Sequence, residues 1–247
     1  MTVHVTAGKL VFQWINLMKK TGKNNSLTDI NGVMVGHFTS ISAASGVSVV
    51  LCTSGAVCGV DVRGSAPGTR ETDLLDPINL VDKVQAVVLS GGSVYGLSAA
   101  DGVVRWLAHQ GHGFRLTEGQ VAPIVPGASL FDLGRGQSYI PPIGPEWGAK
   151  ACESASKGAI PLGCVGAGTG AISGGIKGGI GSASEVLESG ITVGALIAVN
   201  SLGSVINPDT GAPWEIGLEI NGEFGALGKK SVLTPSMPTP DSISNTT

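Results

Sequence analysis

One charged side chain stands in the most unusual stretch of this sequence. Residues 163–181 (GCVGAGTGAISGGIKGGIG) contain nine glycines, and Lys177 is their only charged residue. Glycine loses more backbone freedom on folding than any other residue, so this density predicts a path that needs positive φ or close approach, not a regular element. Flexible linkers carry serines and charges, whereas this stretch carries valine and isoleucines. We therefore expect a buried or site-lining loop in which little competes with the charge of Lys177.

The common catalytic and cofactor patterns are missing elsewhere. The sequence GGSVYG at residues 91–96 has the spacing of neither a nucleophile elbow nor a dinucleotide-binding turn. Glu71, Asp73 and Asp76 form a carboxylate cluster, but capping of a turn explains them more simply. The cysteines lack metal-site spacing and indicate free thiols, and the histidines are dispersed, so we predict no metal and no cofactor. These residues are Cys52, Cys58, Cys152, Cys164, His4, His37, His109 and His112.

The composition restricts the class of protein. Charged residues make up 13% of the 247 residues, against about 25% in typical globular domains. A surface so short of charge predicts a homo-oligomer. The net charge of −3 and the scattered basic residues argue against nucleic-acid binding. The sequence contains no run of 18 apolar residues, so it predicts no membrane span. The apolar run at residues 10–18 lacks the features of a secretory signal, and we therefore expect a cytoplasmic protein.

The apolar pattern predicts a layered α/β domain with sheets inside and helices outside. We expect residues 1–25 to be an extension, residues 26–228 a single domain, and residues 229–247 a flexible tail. The runs 46–52 and 56–62 predict an antiparallel hairpin, and the run 86–89 predicts a strand followed by a helix. Residues 145–157 predict a second helix. Residues 182–188 favour a helical turn, and residues 191–199 predict a buried strand that ends at Asn200.

Several longer stretches resemble one known family. The matching sequences are LTDINGVMVGH, VDVRGSAPGTRETDLLDP, LSGGSVYGLSAADGVVRWL, PIVPGASLFDL, the glycine-rich run ending IKGGIGSAS, GITVGALIAVN and the closing NTT. From Leu27 onward the chain resembles the self-processing aminopeptidases and amidases of the DmpA type. That family includes L-aminopeptidase/D-esterases, β-aminopeptidases and nylon-oligomer hydrolases. The resemblance implies a layered α-β-β-α sandwich of the N-terminal-nucleophile-hydrolase type.

The resemblance also implies a mechanism. Members of this family cut their own precursor before a serine or threonine, which then heads a second chain as the nucleophile. Here the implied cleavage site is Asn245–Thr246, with Thr246 as the nucleophile. Asn200 matches an asparagine that donates to the oxyanion, although a strand-end turn residue is an equal reading from sequence alone. Lys177 matches a site lysine of the nylon-oligomer branch, where it lowers the pKa of the amine or stabilises negative charge.

Two departures from the family matter. Phe131 stands in the substrate pocket where better-known members have a tyrosine whose hydroxyl points into the site. The sequence given ends two residues after the implied cut, so the small second chain of the same precursor is an expected partner. The expected substrate is a small peptide or amide. Two alternatives stay open: an acyltransferase of the ornithine acetyltransferase type, and a catalytically silent truncated scaffold.

Overall fold

A five-stranded sheet with helices on one face dominates the computed structural model, which describes residues 20–219 and Gly222. The strands are β1 Met34–Ser40, β2 Ser45–Ala56, β3 Thr69–Arg70, β4 Val84–Ser90, β5 Phe114–Arg115, β6 Val121–Ala122, β7 Gly127–Ser129, β8 Ile172–Ser173, β9 Ile176–Lys177, β10 Gly179–Val186 and β11 Thr192–Val199. The helices are α1 Ala99–His109 and α2 Pro145–Glu153. Short 3-10 turns lie at Leu27–Asp29, Asp73–Leu75, Ser93–Ser98, Gly166–Gly168 and Ile216–Leu218.

The main sheet has the strand order β1-β2-β4-β7-β3. All neighbours are antiparallel except β4 and β7, which run parallel. Alternate residues of β2 point to opposite faces, as in any strand. Val47, Val49 and Leu51 pack with residues of α1 and α2 in the larger core. Because β4 and β7 run parallel, the loops that follow these two strands leave the sheet at the same end.

The predicted strand, turn and helix after residue 86 are confirmed. β4 is followed by the 3-10 turn Ser93–Ser98 and then by α1, whose inner side buries Val103 and Leu107. The second helix is also confirmed, but it ends at Glu153, before the predicted end at residue 157. The two helices cross closely, because a Cβ added at Gly102 would lie 1.7 Å from the carbonyl oxygen of Pro145.

The glycine-rich stretch covers the other face of the sheet and is not a linker. The Ala167 amide donates to Ser48 Oγ on β2 at 3.0 Å, and Ala167, Ala171 and Ile180 form a second core with Leu130. The stretch continues into the hairpin β8–β9 and then into β10, which pairs with β11. The predicted helical turn at residues 182–188 is wrong, since β11 supplies β10 with an antiparallel partner along its whole length.

The predicted hairpin of residues 46–52 and 56–62 is also wrong. β2 continues through the turn-forming residues 53–55 and ends at Ala56, and residues 57–62 form no strand. Both edges of β2 are already occupied by β1 and β4, so a third partner has no place. Val57 is therefore left 82% exposed in a loop.

Residues 20–25 pack against β10: Lys20 pairs with Val186, and the Gly22 amide donates to Ser184 Oγ. The predicted strand ending at Asn200 is present as β11, but it is only half buried, since Val193 and Ile197 are 52% and 54% exposed. In the described part of the chain no helix combines the length and apolar character that crossing a membrane requires.

Candidate active site

Asn200 follows β11 directly and is fully buried. Its Oδ1 accepts hydrogen bonds from Arg135 Nη1 at 3.0 Å and from the Ile172 amide at 2.9 Å. Its Nδ2 donates to the Phe131 carbonyl at 3.0 Å. Two N–H donors at one end and a carbonyl at the other leave a single orientation of the amide that satisfies all three bonds. Three separate segments of the chain therefore fix the direction of the Nδ2 donor.

Arg135 connects Asn200 to the glycine-rich stretch. The same Nη1 atom also donates to the Gly170 carbonyl. The guanidinium is about half buried, and this burial lowers the pKa of Arg135 while the neighbouring Asp132 opposes that shift. An arginine is so basic that it stays charged under these conditions. Arg135 thus places a permanent positive charge beside the Asn200 amide.

Asp132 is the buried carboxylate of this site. Its Oδ2 accepts from Ser45 Oγ at 2.7 Å, and its Oδ1 accepts from the Gly92 amide at 2.6 Å. Burial raises the pKa of Asp132, although these two hydrogen bonds and the charge of Arg135 act in the opposite direction. The carboxylate ties the loop after β7 to the turn after β4 and faces the cation that holds Asn200.

Lys177 is brought to the same region through its backbone. It pairs with Ile172 across the hairpin β8–β9, and the Ile172 amide is one of the donors to Asn200. Gly178 makes this approach possible, because a Cβ there would lie 1.9 Å from the Val199 carbonyl oxygen. The Lys177 side chain itself is exposed and makes no ion pair with the described part of the chain. The backbones of the two predicted site residues are therefore adjacent.

Phe131 lies on the loop after β7 and is partly buried. Its main-chain carbonyl contacts Asn200, so a phenylalanine serves this contact as well as a tyrosine would. Asn245 and Thr246, the predicted cleavage site and nucleophile, lie outside the described residues. The structure therefore describes the surroundings of Asn200, Lys177 and Phe131 alone among the predicted residues.

Asp132 and Arg135 are not among the site residues that the sequence predicts. A signal was present, since Asp132 is the only charged residue in the apolar stretch 123–133 and Arg135 follows closely. A lone carboxylate at the end of a buried strand needs a hydrogen-bonding or charged partner. His37 is one of the dispersed histidines for which the sequence predicts no metal site. Its Nδ1 lies 2.8 Å from Ser48 Oγ, and burial lowers the pKa of His37.

Comparison with known proteins decides the family. The sequence model of peptidase family S58 matches residues 25–231. The chain belongs to peptidase family S58. This S58 chain is 51% identical over 205 residues to a Mycobacterium leprae protein named an uncharacterized aminopeptidase, and 50% identical over 208 residues to one from Mycobacterium tuberculosis. The matches cover 77% and 81% of the chain but 56% and 59% of those relatives, so it spans little more than half their length.

Solved structures of similar fold agree with this assignment. The L-aminopeptidase D-Ala-esterase/amidase of Ochrobactrum anthropi has a variant of the Ntn-hydrolase fold and superposes with a TM-score of 0.63 at 25% identity, covering 76% of this chain and 56% of that one. A Burkholderia sp. β-aminopeptidase gives a TM-score of 0.62 at 25% identity, with 76% and 55% covered. These similarities confirm both the family resemblance and the predicted N-terminal-nucleophile-hydrolase type of α/β sandwich for the S58 chain.

Proposed function

We propose that this chain is the larger part of a self-processing aminopeptidase, in which the Asn245–Thr246 bond is cut and Thr246 becomes the nucleophile. The observation that carries the proposal is the fully buried Asn200 amide, whose direction is set by Arg135, Ile172 and Phe131. A donor fixed before reaction is what stabilisation of an oxyanion requires. Membership of a peptidase family gives this donor a reaction to serve.

The chemistry follows from an N-terminal threonine. Its α-amino group has an unperturbed pKa of about 7.7–8.0 and accepts the hydroxyl proton near neutral pH. The Thr246 oxygen then bonds to the substrate carbonyl carbon, and the negative charge formed on the carbonyl oxygen is stabilised by Asn200 Nδ2. Collapse breaks the amide bond, and the leaving amine takes the proton. Water then hydrolyses the ester and regenerates the threonine.

Lys177 has a supporting role in this proposal. Its backbone is adjacent to the segment that binds Asn200, and its side chain reaches solvent on that side. A lysine ammonium near the α-amino group of Thr246 favours the neutral amine, which is the form that acts as base. The same charge stabilises the oxyanion. We expect the substrates to be small peptides or amino-acid amides, as the names of the aminopeptidase relatives suggest.

A further chain segment completes the enzyme in this proposal. Along β11 every second residue is exposed, and Val193 and Ile197 form an apolar strip on that side. On the opposite face a Cβ added at Gly194 would lie 3.1 Å from Leu27 Cα, so Leu27 lies close to this side of the strand. A sheet in an α/β protein normally has both faces covered. The strip, together with the 56–59% coverage of the relatives, supports a small second chain as its cover.

We also propose a homo-oligomer. Val57, Ile78 and Leu80 are each more than 80% exposed. Val57 lines one small cavity together with Asp76, Pro77 and Asn79, which places Val57 beside the loop that carries Ile78. Apolar side chains grouped on a surface with few charges are typical of subunit contacts. Sedimentation velocity tests this: a monomer at all concentrations contradicts the proposal, and a Val57→Asp, Ile78→Asp variant should dissociate an oligomer.

Mass spectrometry of the expressed precursor tests the cleavage. Wild-type protein should yield a product that ends at Asn245, and Thr246→Ala should stay intact. Thr246→Ser is the matched control, because it keeps a hydroxyl nucleophile and should still be processed. An uncut wild-type chain in a precursor that includes the following segment would refute self-processing. Assays of amino-acid amides with and without an amine acceptor then separate a hydrolase from an acyltransferase.

Two substitutions at one position test Asn200 as the oxyanion donor. Asn200→Asp keeps oxygens that accept from Arg135 and the Ile172 amide, but it replaces the Nδ2 donor with an acceptor. Asn200→Ala removes both functions. We expect Asn200→Ala to unfold at lower urea than Asn200→Asp, whereas both lose about 10²–10³ in turnover, the usual cost of one oxyanion donor. Normal turnover by correctly folded Asn200→Asp would exclude this role.

A further inference from the structure

A polar cavity lies at the opposite end of the main sheet from Asn200. It has a volume of about 400 Å³ and is formed by residues 53–54 of β2, by Gln85 at the start of β4, and by residues 111–113, 115–116 and 119–121 around the hairpin β5–β6. The Asn200 site, in contrast, adjoins the ends of β4 and β7, where Gly92 and Asp132 meet. Ligand cavities in proteins begin at about 300 Å³, so this one has room for a small molecule.

Gln85 supplies the first reason to expect a ligand. Its side chain is only 6% exposed, and its Oε1 accepts from the Ile124 amide at 2.9 Å. Its amide nitrogen makes no hydrogen bond to the described part of the chain, yet it is not sealed in the interior and Gln85 lines the cavity. This amide nitrogen is therefore available to an acceptor that enters the cavity.

The charge of the lining indicates the kind of acceptor. Arg115 and His112 line the cavity, together with the hydroxyls of Thr53 and Ser54, and no aspartate or glutamate is among its lining residues. The guanidinium of arginine presents two parallel N–H groups that match the oxygens of a carboxylate or phosphate. The ionisable side chains of the lining are basic, which favours a negatively charged ligand over a neutral one.

The end of α1 beside the cavity does not oppose an anion. Carbonyl groups at the end of a helix repel negative charge when they are unpaired. Here the Gly111 amide donates to the Ala108 carbonyl at 3.0 Å, and the His112 amide donates to the Leu107 carbonyl at 3.0 Å. These carbonyls are already engaged. We propose that the cavity binds a small oxyanion, a carboxylate or a phosphate, through Arg115 and the Gln85 amide.

Titration calorimetry of the full chain at constant ionic strength tests this proposal, with inorganic phosphate and citrate as the two probes. We expect saturable binding of at least one probe, and the preferred probe identifies a phosphate or a carboxylate ligand. Arg115→Gln should weaken binding by about tenfold or more. Arg105→Gln, which removes an exposed arginine of α1 that does not line the cavity, is the matched control and should bind as wild type does.

A second variant tests the Gln85 donor. Gln85→Glu keeps an oxygen for the Ile124 amide but replaces the cavity-facing nitrogen with a second oxygen, so it should abolish binding of the anion. The thermal unfolding of both cavity variants is measured in parallel, and Arg115→Gln decides the outcome if Gln85→Glu fails to fold. Wild-type protein that binds neither probe, or equal weakening by Arg115→Gln and Arg105→Gln, overturns the proposal. None of these readouts depends on peptidase activity.

Discussion

Replacing Arg135 with methionine tests the hydrogen-bond network around Asn200. The methionine keeps most of the aliphatic stem but removes the Nη1 donor to Asn200 Oδ1 and to the Gly170 carbonyl. It also removes the positive charge beside Asp132. That charge lowers the pKa of Asp132, so the substitution raises this pKa further and makes the ionised carboxylate less favourable. Arg135→Met should therefore destabilise the fold at neutral pH.

The size of the effect follows from what each group loses. A hydrogen bond to a charged group contributes about 1.5–3 kcal/mol, and two such bonds set an upper limit of roughly 3–6 kcal/mol. The guanidinium of Arg135 is only half buried, so water replaces part of each interaction. We expect a decrease of about 2–4 kcal/mol in the free energy of unfolding.

Urea unfolding of purified protein at neutral pH measures this decrease. Arg135→Lys keeps the charge without the planar donors and should fall between Arg135→Met and wild type. Arg105→Met changes an exposed arginine on α1 and should stay within about 0.5 kcal/mol of wild type. A loss below about 0.5 kcal/mol for Arg135→Met would refute the network as a stabilising element. Wild-type stability of Arg135→Lys would show that charge alone suffices.

Three other predictions follow from single contacts. Gly102→Ala places a Cβ 1.7 Å from the Pro145 carbonyl oxygen and should cost about 1–3 kcal/mol in urea unfolding, while Gly59→Ala, with open space around it, should cost little. Because burial lowers the pKa of His37 below 6.5, the unfolded chain binds the proton first as pH falls; stability should decrease below about pH 6.5, and His37→Gln should flatten this slope in urea titrations at several pH values. Lys177→Met should leave urea unfolding within about 0.5 kcal/mol of wild type, because the side chain is exposed, but should slow the proposed cleavage measured by mass spectrometry.

Local patterns in the sequence predict some elements well and others poorly. The strand and helix after residue 86 are encoded by apolar spacing and a glycine turn, and both are present. Residues 56–62 are also rich in β-branched side chains, but β1 and β4 occupy both edges of β2, so residues 57–62 have no edge of that strand to pair with. The run at 182–188 lacks a strong pattern and becomes a strand because β11 pairs with it. Which strand obtains a partner is a long-range outcome that periodicity does not contain.

The same limit applies to the candidate site. Asn200 could be singled out because it ends an apolar strand, and Lys177 because it is the only charge among nine glycines. Arg135 is 65 residues from Asn200 in sequence and lies in a short polar loop. Its partner is determined by the way the loop after β7 meets the end of β11. Spacing along the chain therefore identifies candidate residues, but it does not identify the groups that orient them.

The hydrogen bonds of Asn200 argue for a role beyond ending a strand. A turn asparagine needs one local bond, whereas this side chain is bound by segments 28, 65 and 69 residues away. Two donors on Oδ1, one of them a cation, polarise the amide and make its N–H groups stronger donors, since hydrogen bonds in a chain reinforce one another. The amide is ordered when the protein folds, so in the proposed reaction the charge that develops beside Nδ2 would meet a donor that needs no reorganisation. Gly178 is required for this arrangement, because a Cβ at that position would collide with the Val199 carbonyl oxygen and would hold the Lys177 hairpin away from β11, the strand that precedes Asn200.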